Sequence, residues 1–332
     1  MNKYLLQNII EAFQDEKKIV LATIIKVAGS VPRHEGAQML IFEDLSVIGT
    51  IGGGCGEASV KMEALNVIDT NEAKTHRVLL NNDIAAKEGM VCGGMMDVYL
   101  EPLKNIIPYQ KALSLLQNNQ SSVMLERIGS PNLKSIYNSS GELLFGLPVQ
   151  ECLKDYINSK KPLVLLLNNE NWLVQPIQPD EKLLILGAGH VGKAVADYAY
   201  ALDFAVSVVD DRSTFANKQR FPLAKNVICA DFVSALAESE IDDNTYVVIV
   251  TRGHSYDEIC LKYILTRETK YVGMIGSKRR VELLRKKILA EGIVAINEAK
   301  LHAPIGLKIG AETPEEIAIS VLAEIISVRR SS

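Results

Sequence analysis

The sequence predicts an α/β protein of two domains, a mixed α/β N-terminal domain over 1–178 and a doubly wound parallel sheet over 179–332. The chain has 332 residues, which is more than one typical domain of ~100–200 residues. From Lys182 onward, short and continuously apolar strands alternate with helical stretches, as in a parallel sheet covered on both faces. The segment 175–182 carries two prolines and several charges, and it is the best candidate for the linker.

Composition excludes several classes of protein. Hydrophobic residues make up 48% and charged residues 23% of the chain, which argues against disorder and leaves material for a core. The formal net charge of −4 disfavours a general nucleic-acid binder, which would carry a basic excess. No apolar run approaches the ~20 residues of a membrane span, and five irregularly spaced cysteines do not form a disulfide framework. We therefore expect a cytoplasmic protein with reduced thiols that binds neither membranes nor nucleic acids.

Hydrophobic spacing and turn residues place the elements of the N-terminal domain. The first residues combine acidic side chains with apolar ones at helical spacing, which predicts an amphipathic helix and not a signal peptide. The segment 106–176 carries weaker signals than the rest. In chain order, the further predicted elements are a strand over 17–28, a hairpin of strands over 36–44 and 46–52, a helix over 57–70, a strand over 91–103, a helix over 109–118 and a strand over 163–167.

The C-terminal domain has a more regular pattern. Its last helix is expected to begin with a capping box, in which Thr313 is the N-cap, Pro314 takes the first helical position and Glu316 completes the box. The preceding elements are a strand, glycine turn and helix over 183–202 and strands over 205–211, 226–231, 245–250 and 271–276. This order of elements predicts a Rossmann-like fold.

A glycine-rich turn, GAGHVG, joins the first strand of this domain to its first helix. Gly187 would permit the tight turn, Gly189 would let a pyrophosphate approach the backbone, and Gly192 would allow close contact between helix and strand. Asp210 ends the second strand, where an acid accepts a ribose hydroxyl in nucleotide-binding folds. His190, inside the turn, would reach a phosphate or simply begin the helix. The pattern leaves open whether the ligand is a pterin nucleotide, NAD or NADP, or whether the glycines serve only the turn.

Two further turns with basic residues follow strands of the same sheet. Arg252 and His254 come directly after the strand over 245–250, and Ser277 and Lys278 come after the strand over 271–276. Turns after parallel strands share the carboxyl edge of the sheet, so these side chains are expected beside the glycine turn. Ser277 would cap the next helix, and cations at a helix start suggest a compensating anion. Solvated surface charge is the alternative.

A cysteine in the N-terminal domain follows a run of three glycines. In GTIGGGCGE, Gly52, Gly53 and Gly54 precede Cys55, and a predicted helix begins just after it. A thiol at a helix N-terminus favours the thiolate form, which attacks sulfur or binds a soft metal. Cys92 opens a second glycine turn, and Arg33 lies in a glycine-flanked loop that could close the same site. The alternatives are small buried apolar cysteines and a plain surface loop.

These motifs together resemble the xanthine dehydrogenase accessory proteins of the XdhC/CoxI family. The resemblance rests on GSVPRHEGA, GTIGGGCGE and VCGGMMDVYLEPL in the first half of the chain. In the second half it rests on LLILGAGHVGKAVA, VVDDR, FANKQRFP, VTRGHSYD, YVGMIGSKRR and APIGLKIGAETPEEIAISVLAEII. The family usually has Asp in the GLxIG segment, where this sequence has Lys308, and this difference removes one possible acid from that turn.

The resemblance implies a maturation factor for a molybdenum hydroxylase. Such a factor binds molybdenum cofactor, as molybdopterin or its dinucleotide, supports its sulfuration with a cysteine desulfurase and inserts it into the apo-enzyme. Carried onto this sequence, Cys55 and Cys92 would contact molybdenum or relay sulfur across a cleft from the phosphate-binding turns. The resemblance also implies a homodimer and a cofactor chaperone more than a turnover enzyme.

Two other functions stay open from the sequence. An NAD(P)-dependent oxidoreductase would use the glycine turn, but no set of residues for hydride chemistry accompanies it. A nucleotide-sensing interaction module would use the same turn without chemistry. Both alternatives leave the glycine-flanked cysteines without a purpose.

Overall fold

A computed structural model of the protein describes residues 1–80, 94–130, 133–149, 156, 162–167, 169–292 and 298–331. The chain forms two compact units, Met1–Pro179 and Asp180–Ser332, called unit 1 and unit 2 below. The predicted fold class is confirmed: antiparallel sheets make up unit 1, and unit 2 contains a six-stranded parallel sheet of Rossmann type. None of the helices in the described ranges is long and apolar enough to cross a membrane.

The first sheet of unit 1 is antiparallel, with strand order β3-β2-β1-β5-β4. Its strands are β1 (Ile19–Ala28), β2 (Gln38–Phe42), β3 (Val47–Gly49), β4 (Lys74–Leu79) and β5 (Met95–Pro102). The predicted hairpin is present as β2 and β3, and β-branched residues form the central strand β1, as expected. The edge strand β4, which carries Lys, His and Arg, was missed by the sequence analysis.

A second antiparallel sheet of unit 1 has the order β8-β7-β6-β10-β9. Of its strands, only β9 was predicted. The predicted linker over 175–182 is wrong in its first part, because β10 continues through Ile177 with its residues buried in the sheet. The strands are β6 (Ser122–Arg127), β7 (Lys134–Asn138), β8 (Leu143–Phe145), β9 (Leu163–Leu167) and β10 (Glu170–Ile177).

The helices found among the described residues of unit 1 cover these sheets. They are α1 (Lys3–Gln14), α2 (Gly54–Thr70) and α3 (Ile107–Gln117). The predicted helix over 57–70 is present as α2, and its residues Val60, Ala64 and Val67 are buried against the first sheet. Helices α1 and α3 share one core with residues of both sheets. Because α2 begins three residues before the predicted position at 57, its first turn includes Cys55.

The parallel sheet of unit 2 has the strand order β13-β12-β11-β14-β15-β16. Its strands are β11 (Lys182–Leu186), β12 (Ala205–Asp210), β13 (Asn226–Cys229), β14 (Thr245–Ile249), β15 (Tyr271–Met274) and β16 (Leu301–His302). The chain leaves β11 in one direction to β12 and returns to the other side for β14. The carboxyl ends of β11 and β14 therefore flank the point where the strand order reverses, which is where such sheets bind ligands.

Helices cover both faces of this sheet. They are α4 (His190–Tyr200), α5 (Phe232–Glu238), α6 (His254–Leu265), α7 (Lys278–Ala290) and α8 (Pro314–Ser331). One core packs α4 and α8 on one face, and another packs α5, α6 and α7 on the opposite face. The predicted capping box of α8 is confirmed, since the Glu316 carboxylate accepts from the Thr313 amide at 3.0 Å and the Thr313 hydroxyl accepts from the Glu316 amide at 3.3 Å.

Candidate functional site

The glycine turn before α2 has a backbone that other residues rarely adopt. Gly52, Gly53 and Gly54 have φ of +132°, +76° and +63°. A residue with a side chain in such a sparsely populated conformation costs about 1–3 kcal/mol, which explains the run of three glycines. The turn places Cys55 at the second position of α2, half-buried. The thiol is therefore at the helix N-terminus, where the helix dipole favours an anion.

The side chain of Glu57 holds this turn in place. Its carboxylate accepts from the Gly53 amide at 3.0 Å and from the Thr50 hydroxyl at 2.8 Å. The Thr50 hydroxyl in turn accepts from the Gly52 amide at 3.0 Å. The sequence analysis did not single out Glu57, although an acid in the first turn of a helix is a recognisable signal. The turn is thus pre-organised by its own hydrogen bonds.

The loop after β1 packs against two of the glycines that the sequence analysis singled out separately. A Cβ atom on Gly52 would lie 2.3 Å from the Pro32 ring, and one on Gly94 would lie 2.3 Å from the Ser30 carbonyl oxygen. The loop 29–37, the turn at 50–55 and the start of β5 therefore meet at one place. Arg33 is exposed on this loop. Cys92 lies outside the described residues, so its role stays a prediction.

In unit 2, the glycine turn after β11 has the geometry expected for close backbone approach. Gly187 has φ of +117°, and a Cβ atom there would lie 2.4 Å from the Val250 carbonyl oxygen. A Cβ atom on Gly192 would lie 1.9 Å from the Gly187 carbonyl oxygen. At Gly189 no atom lies within 4 Å of that position, so the space beside its backbone is open. The turn contacts the end of β14 and leaves room for a ligand at its middle glycine.

Asp210, the predicted ribose acceptor, is engaged by the protein itself. Its carboxylate accepts from the Ala188 amide at 2.8 Å and from Arg212 through the amide, Nε and a terminal nitrogen at 3.1, 2.7 and 2.9 Å. These four bonds fill the four acceptor positions of a carboxylate. Burial raises the pKa of Asp210, but the Arg212 and amide hydrogen bonds outweigh it and leave the pKa below that of an ordinary aspartate. Ribose binding by Asp210 stays a prediction that requires one of these partners to give way.

The loop after β14 is tied to the end of β12. The guanidinium of Arg252 donates to Asp211 at 2.8 Å, and the Tyr256 hydroxyl donates to the same oxygen at 3.1 Å. Arg252 remains 46% exposed, so it keeps donors that face solvent. His254 is the first residue of α6, and its side chain lies outside the described part of the structure. Of the predicted basic residues, Arg252 is thus linked to the β12 edge.

Asp257 on α6 is a buried acid that the sequence analysis missed. It is 1% exposed, accepts from the Thr251 hydroxyl and forms an ion pair with Arg280 of α7. The signal available in the sequence was an acid in the first turn of a helix that follows a candidate binding loop. Asp257 joins the loop after β14 to the start of α7.

The start of α7 is capped as predicted, because the Ser277 hydroxyl accepts from the Arg280 amide at 3.3 Å. Lys278 is exposed on the next turn along the sheet edge, and His190 is exposed at the start of α4. Helices α4 and α6 have glycine N-caps with no side-chain hydrogen bond to the cap. Two helix N-termini with available amides therefore flank the switch point between β11 and β14, and such an arrangement can bind an anion.

Other features of the described residues do not compete with these turns as binding sites. No group of three or more His, Cys, Asp or Glu in the described ranges could hold a metal ion. A cavity of about 420 Å³ in unit 1 lies between α1 and the β2–β3 hairpin. Its lining includes the carboxylates Glu11, Asp15, Glu43 and Asp44, which would repel a phosphate.

Comparisons with known proteins agree along both units. Residues 183–325 match the family model described as "XdhC Rossmann domain", and residues 12–78 match the one described as "XdhC and CoxI family". The chain is 29% identical over 323 residues to a protein of Bacillus subtilis (strain 168) that is named as a probable subunit of xanthine dehydrogenase. The match spans 96% of this chain and 95% of that protein.

Two further similarities cover nearly the whole chain. It is 24% identical over 335 residues to "Molybdenum cofactor insertion chaperone PaoD" of Escherichia coli (strain K12), spanning 99% of this chain and 89% of that protein. A crystal structure of a xanthine dehydrogenase from Bacillus halodurans has a TM-score of 0.83 and 28% identity, covering 100% of this chain and 96% of that one.

Proposed function

Because the chain belongs to the XdhC and CoxI family, we propose that it is an accessory factor for a molybdenum hydroxylase of the xanthine dehydrogenase type. In this role it binds molybdenum cofactor as cargo and inserts it into the apo-enzyme. The Escherichia coli protein PaoD is similar to nearly all of this chain, and its name, "Molybdenum cofactor insertion chaperone PaoD", supports insertion of the cofactor. The structural observation that carries the proposal is Cys55 at the head of α2, on a turn that requires glycine.

In unit 1, we assign the contact with the cargo to Cys55. Its thiolate is a soft ligand of the kind that thiophilic metals prefer, and it also transfers sulfur. The loop that carries Arg33 packs on Gly52 beside it, and its guanidinium is suited to the cofactor's phosphate. Cys92, two residues before Gly94, is proposed to share this role. A cysteine desulfurase would supply the sulfur, and a homodimer is the proposed assembly.

In unit 2, we assign phosphate or dinucleotide binding to the crevice at the switch point. The amides at the start of α4 and α6 are donors for an anion, and Gly189 leaves the space that a phosphate needs. His190, Arg252, His254 and Lys278 are the proposed cationic contacts around it. The residues therefore fit the anionic part of molybdopterin or its dinucleotide.

The proposed function is tested by identifying the cofactor that the purified protein carries. Protein purified from cells that make the cofactor should release molybdopterin or its dinucleotide, identified by mass spectrometry, and should activate an apo-hydroxylase. Cys55→Ala should lose most of the activation, whereas Cys229→Ala, an exposed cysteine at the end of β13, should not. Full loading and activation by Cys55→Ala would exclude the assigned thiol, and the absence of any pterin from the wild-type protein would exclude the function.

A nicotinamide nucleotide in unit 2 is the second candidate ligand. The glycine turn favours it, whereas the acid at the end of β12 would have to give up one of its present hydrogen bonds to accept a ribose hydroxyl. Titration of the purified protein with NAD and NADP, followed by intrinsic fluorescence or calorimetry, distinguishes this case. Binding with turnover would indicate an oxidoreductase, and binding that only alters affinity for a partner would indicate a sensing module.

A further inference from the structure

Three ionisable side chains of unit 1 are buried together where its two sheets meet. Glu101 comes from β5 of the first sheet, and Glu126 and Lys134 come from β6 and β7 of the second sheet. Their exposures are 2%, 3% and 6%. Two carboxyl groups thus share one ammonium out of contact with water, and nothing in the proposed function uses them.

The distances identify a carboxylate oxygen of this cluster that has no hydrogen-bond donor among the described residues. Lys134 Nζ lies 2.6 and 2.8 Å from the two oxygens of Glu101 and 2.8 Å from Glu126 Oε2. An ammonium has three N–H groups, so these contacts use all of its donors. The other oxygen, Glu126 Oε1, is buried and has no hydrogen-bond partner among the described residues. An unsatisfied buried carboxylate oxygen carries a large desolvation cost.

We propose that Glu101 and Glu126 share one proton, so that the cluster is a buried proton-binding site with no net charge. The proton bound to Glu101 is donated to Glu126 Oε1 and satisfies the one oxygen that the ammonium does not reach. Lys134 stays protonated, and one carboxylate and one carboxylic acid accompany it. Two ionised carboxylates with a single ammonium would leave one net negative charge in the interior.

Among the described residues of unit 1, the groups around this cluster do not supply a second positive charge. Tyr99 accepts from the Gly129 amide through its hydroxyl, and Tyr109 lies under Lys134 with its hydroxyl buried. Lys104 lines the same small cavity as Glu101, but its ammonium donates to the Asn71 carbonyl at 2.8 Å. Burial and, to a smaller extent, the charge of Glu126 raise the pKa of Glu101 well above that of an ordinary glutamate. This direction agrees with the distances, which also indicate a protonated carboxyl group.

The shared proton has a consequence for stability. The folded chain binds one proton that the unfolded chain releases above the ordinary glutamate pKa. The stabilisation that the shared proton contributes is therefore fully present at pH below the ordinary glutamate pKa. It is lost as the pH rises towards the pKa of the folded state. Within that window, the equilibrium constant for unfolding should increase about tenfold per pH unit from this group alone.

Infrared spectroscopy of the full chain in heavy water tests the proton directly. A carboxylic acid has a carbonyl stretch that a carboxylate lacks, and we expect this band at neutral pH in the wild-type protein. Glu101→Gln and Glu126→Gln should each remove it, because the amide replaces the acid as donor. Glu170→Gln, whose carboxylate pairs with Arg127 in the same sheet and is 39% exposed, should leave it unchanged.

Urea unfolding between pH 5 and 9 gives an independent measurement. The ratio of unfolding constants of wild type and Glu101→Gln should rise with pH, because the amide keeps the hydrogen bonds without titrating. A wild-type protein with no acid band at neutral pH would overturn the proposal even where a variant fails to fold. A ratio that is constant across this range would also overturn it. Neither outcome bears on cofactor loading, which is tested separately.

Discussion

The glycines at the head of α2 differ in what surrounds them, although all three have positive φ. Gly52 packs directly on the Pro32 ring, whereas a Cβ atom on Gly53 would meet nothing within 4 Å. The first therefore combines a backbone requirement with a steric one, and the second has only the backbone requirement. This difference separates the two effects at neighbouring positions of one turn.

Replacing Gly52 and Gly53 separately with alanine measures the backbone cost and the steric cost. Gly53→Ala should lower the free energy of unfolding by about 1–3 kcal/mol, because its φ of 76° and ψ of −174° lie in a region that is essentially restricted to glycine. Gly52→Ala should cost more, because the Pro32 ring must also move. Urea unfolding of the two variants provides the comparison. Equal losses for both variants would show that the contact between the loop 29–37 and the turn contributes no stability.

At Asp210, the hydrogen bonds predict a pH dependence of opposite sign to that of Glu101. The pKa of Asp210 is lowered in the folded state, so its stabilising effect is present above the ordinary aspartate pKa and is lost as pH falls through the folded value. Asp210→Asn should destabilise the protein by about 1–3 kcal/mol at neutral pH, because Arg212 loses its charged partner. The difference from wild type, measured by urea unfolding, should shrink below about pH 4. A difference that persists unchanged to lower pH would contradict the assigned cause.

At the scale of elements, the ion pairs between α6 and α7 differ in burial. Asp257 and Arg280 form a pair with a buried carboxylate, and Glu258 and Lys287 form one nearer the solvent. The first pair also contacts Thr251 in the loop after β14. It therefore connects the binding crevice to the start of α7, whereas the second joins only the helices.

Replacing Arg280 or Lys287 of α7 with methionine compares what the two ion pairs contribute to the free energy of unfolding. Arg280→Met should lower the free energy of unfolding by about 2–3 kcal/mol, because it leaves a buried carboxylate without its guanidinium. Lys287→Met should change it by less than about 0.5 kcal/mol, as is typical of exposed pairs. Thermal or urea unfolding measures both. Similar effects of the two changes would show that the position of α7 does not depend on Asp257.

For the whole molecule, the relevant feature is that each unit has its own buried cores. Unit 1 packs its helices on two antiparallel sheets, and unit 2 packs helices on both faces of its parallel sheet. Both units exceed the ~100 residues at which single domains commonly fold alone.

We therefore expect fragments 1–179 and 180–332 to fold separately. Each should give a cooperative thermal transition by circular dichroism, and the second should show the mixed helix and strand signal of its parallel sheet. If nucleotide binding belongs to unit 2, fragment 180–332 should retain it. A fragment without a cooperative transition would show that its core depends on the rest of the chain.

Local patterns of residues were enough to predict the class of the fold, the parallel sheet with its glycine turn, and the helix caps at Ser277 and Thr313. These features depend on strand apolarity, φ requirements and hydrogen bonds within a few residues. The same patterns identified the loop at 29–37, the turn at 50–55 and the glycine turn after Cys92, with the loop expected to close the site at Cys55. The structure supplies the contacts, in which Pro32 packs on Gly52 and the Ser30 carbonyl lies against Gly94.

Contacts between distant parts of the chain decided which charged and polar side chains have hydrogen-bond or ion-pair partners. All strands of the second sheet of unit 1 except β9 were missed because they have no strong alternation, and the pairing of β6 with β10 joins segments that are well separated in sequence. The hydrogen bond from the Ala188 amide to Asp210, the ion pair of the buried Asp257 and the cluster around Lys134 involve contacts between separate elements. Charge pairing and burial depend on distances across the fold, and no local pattern of residue types encodes them.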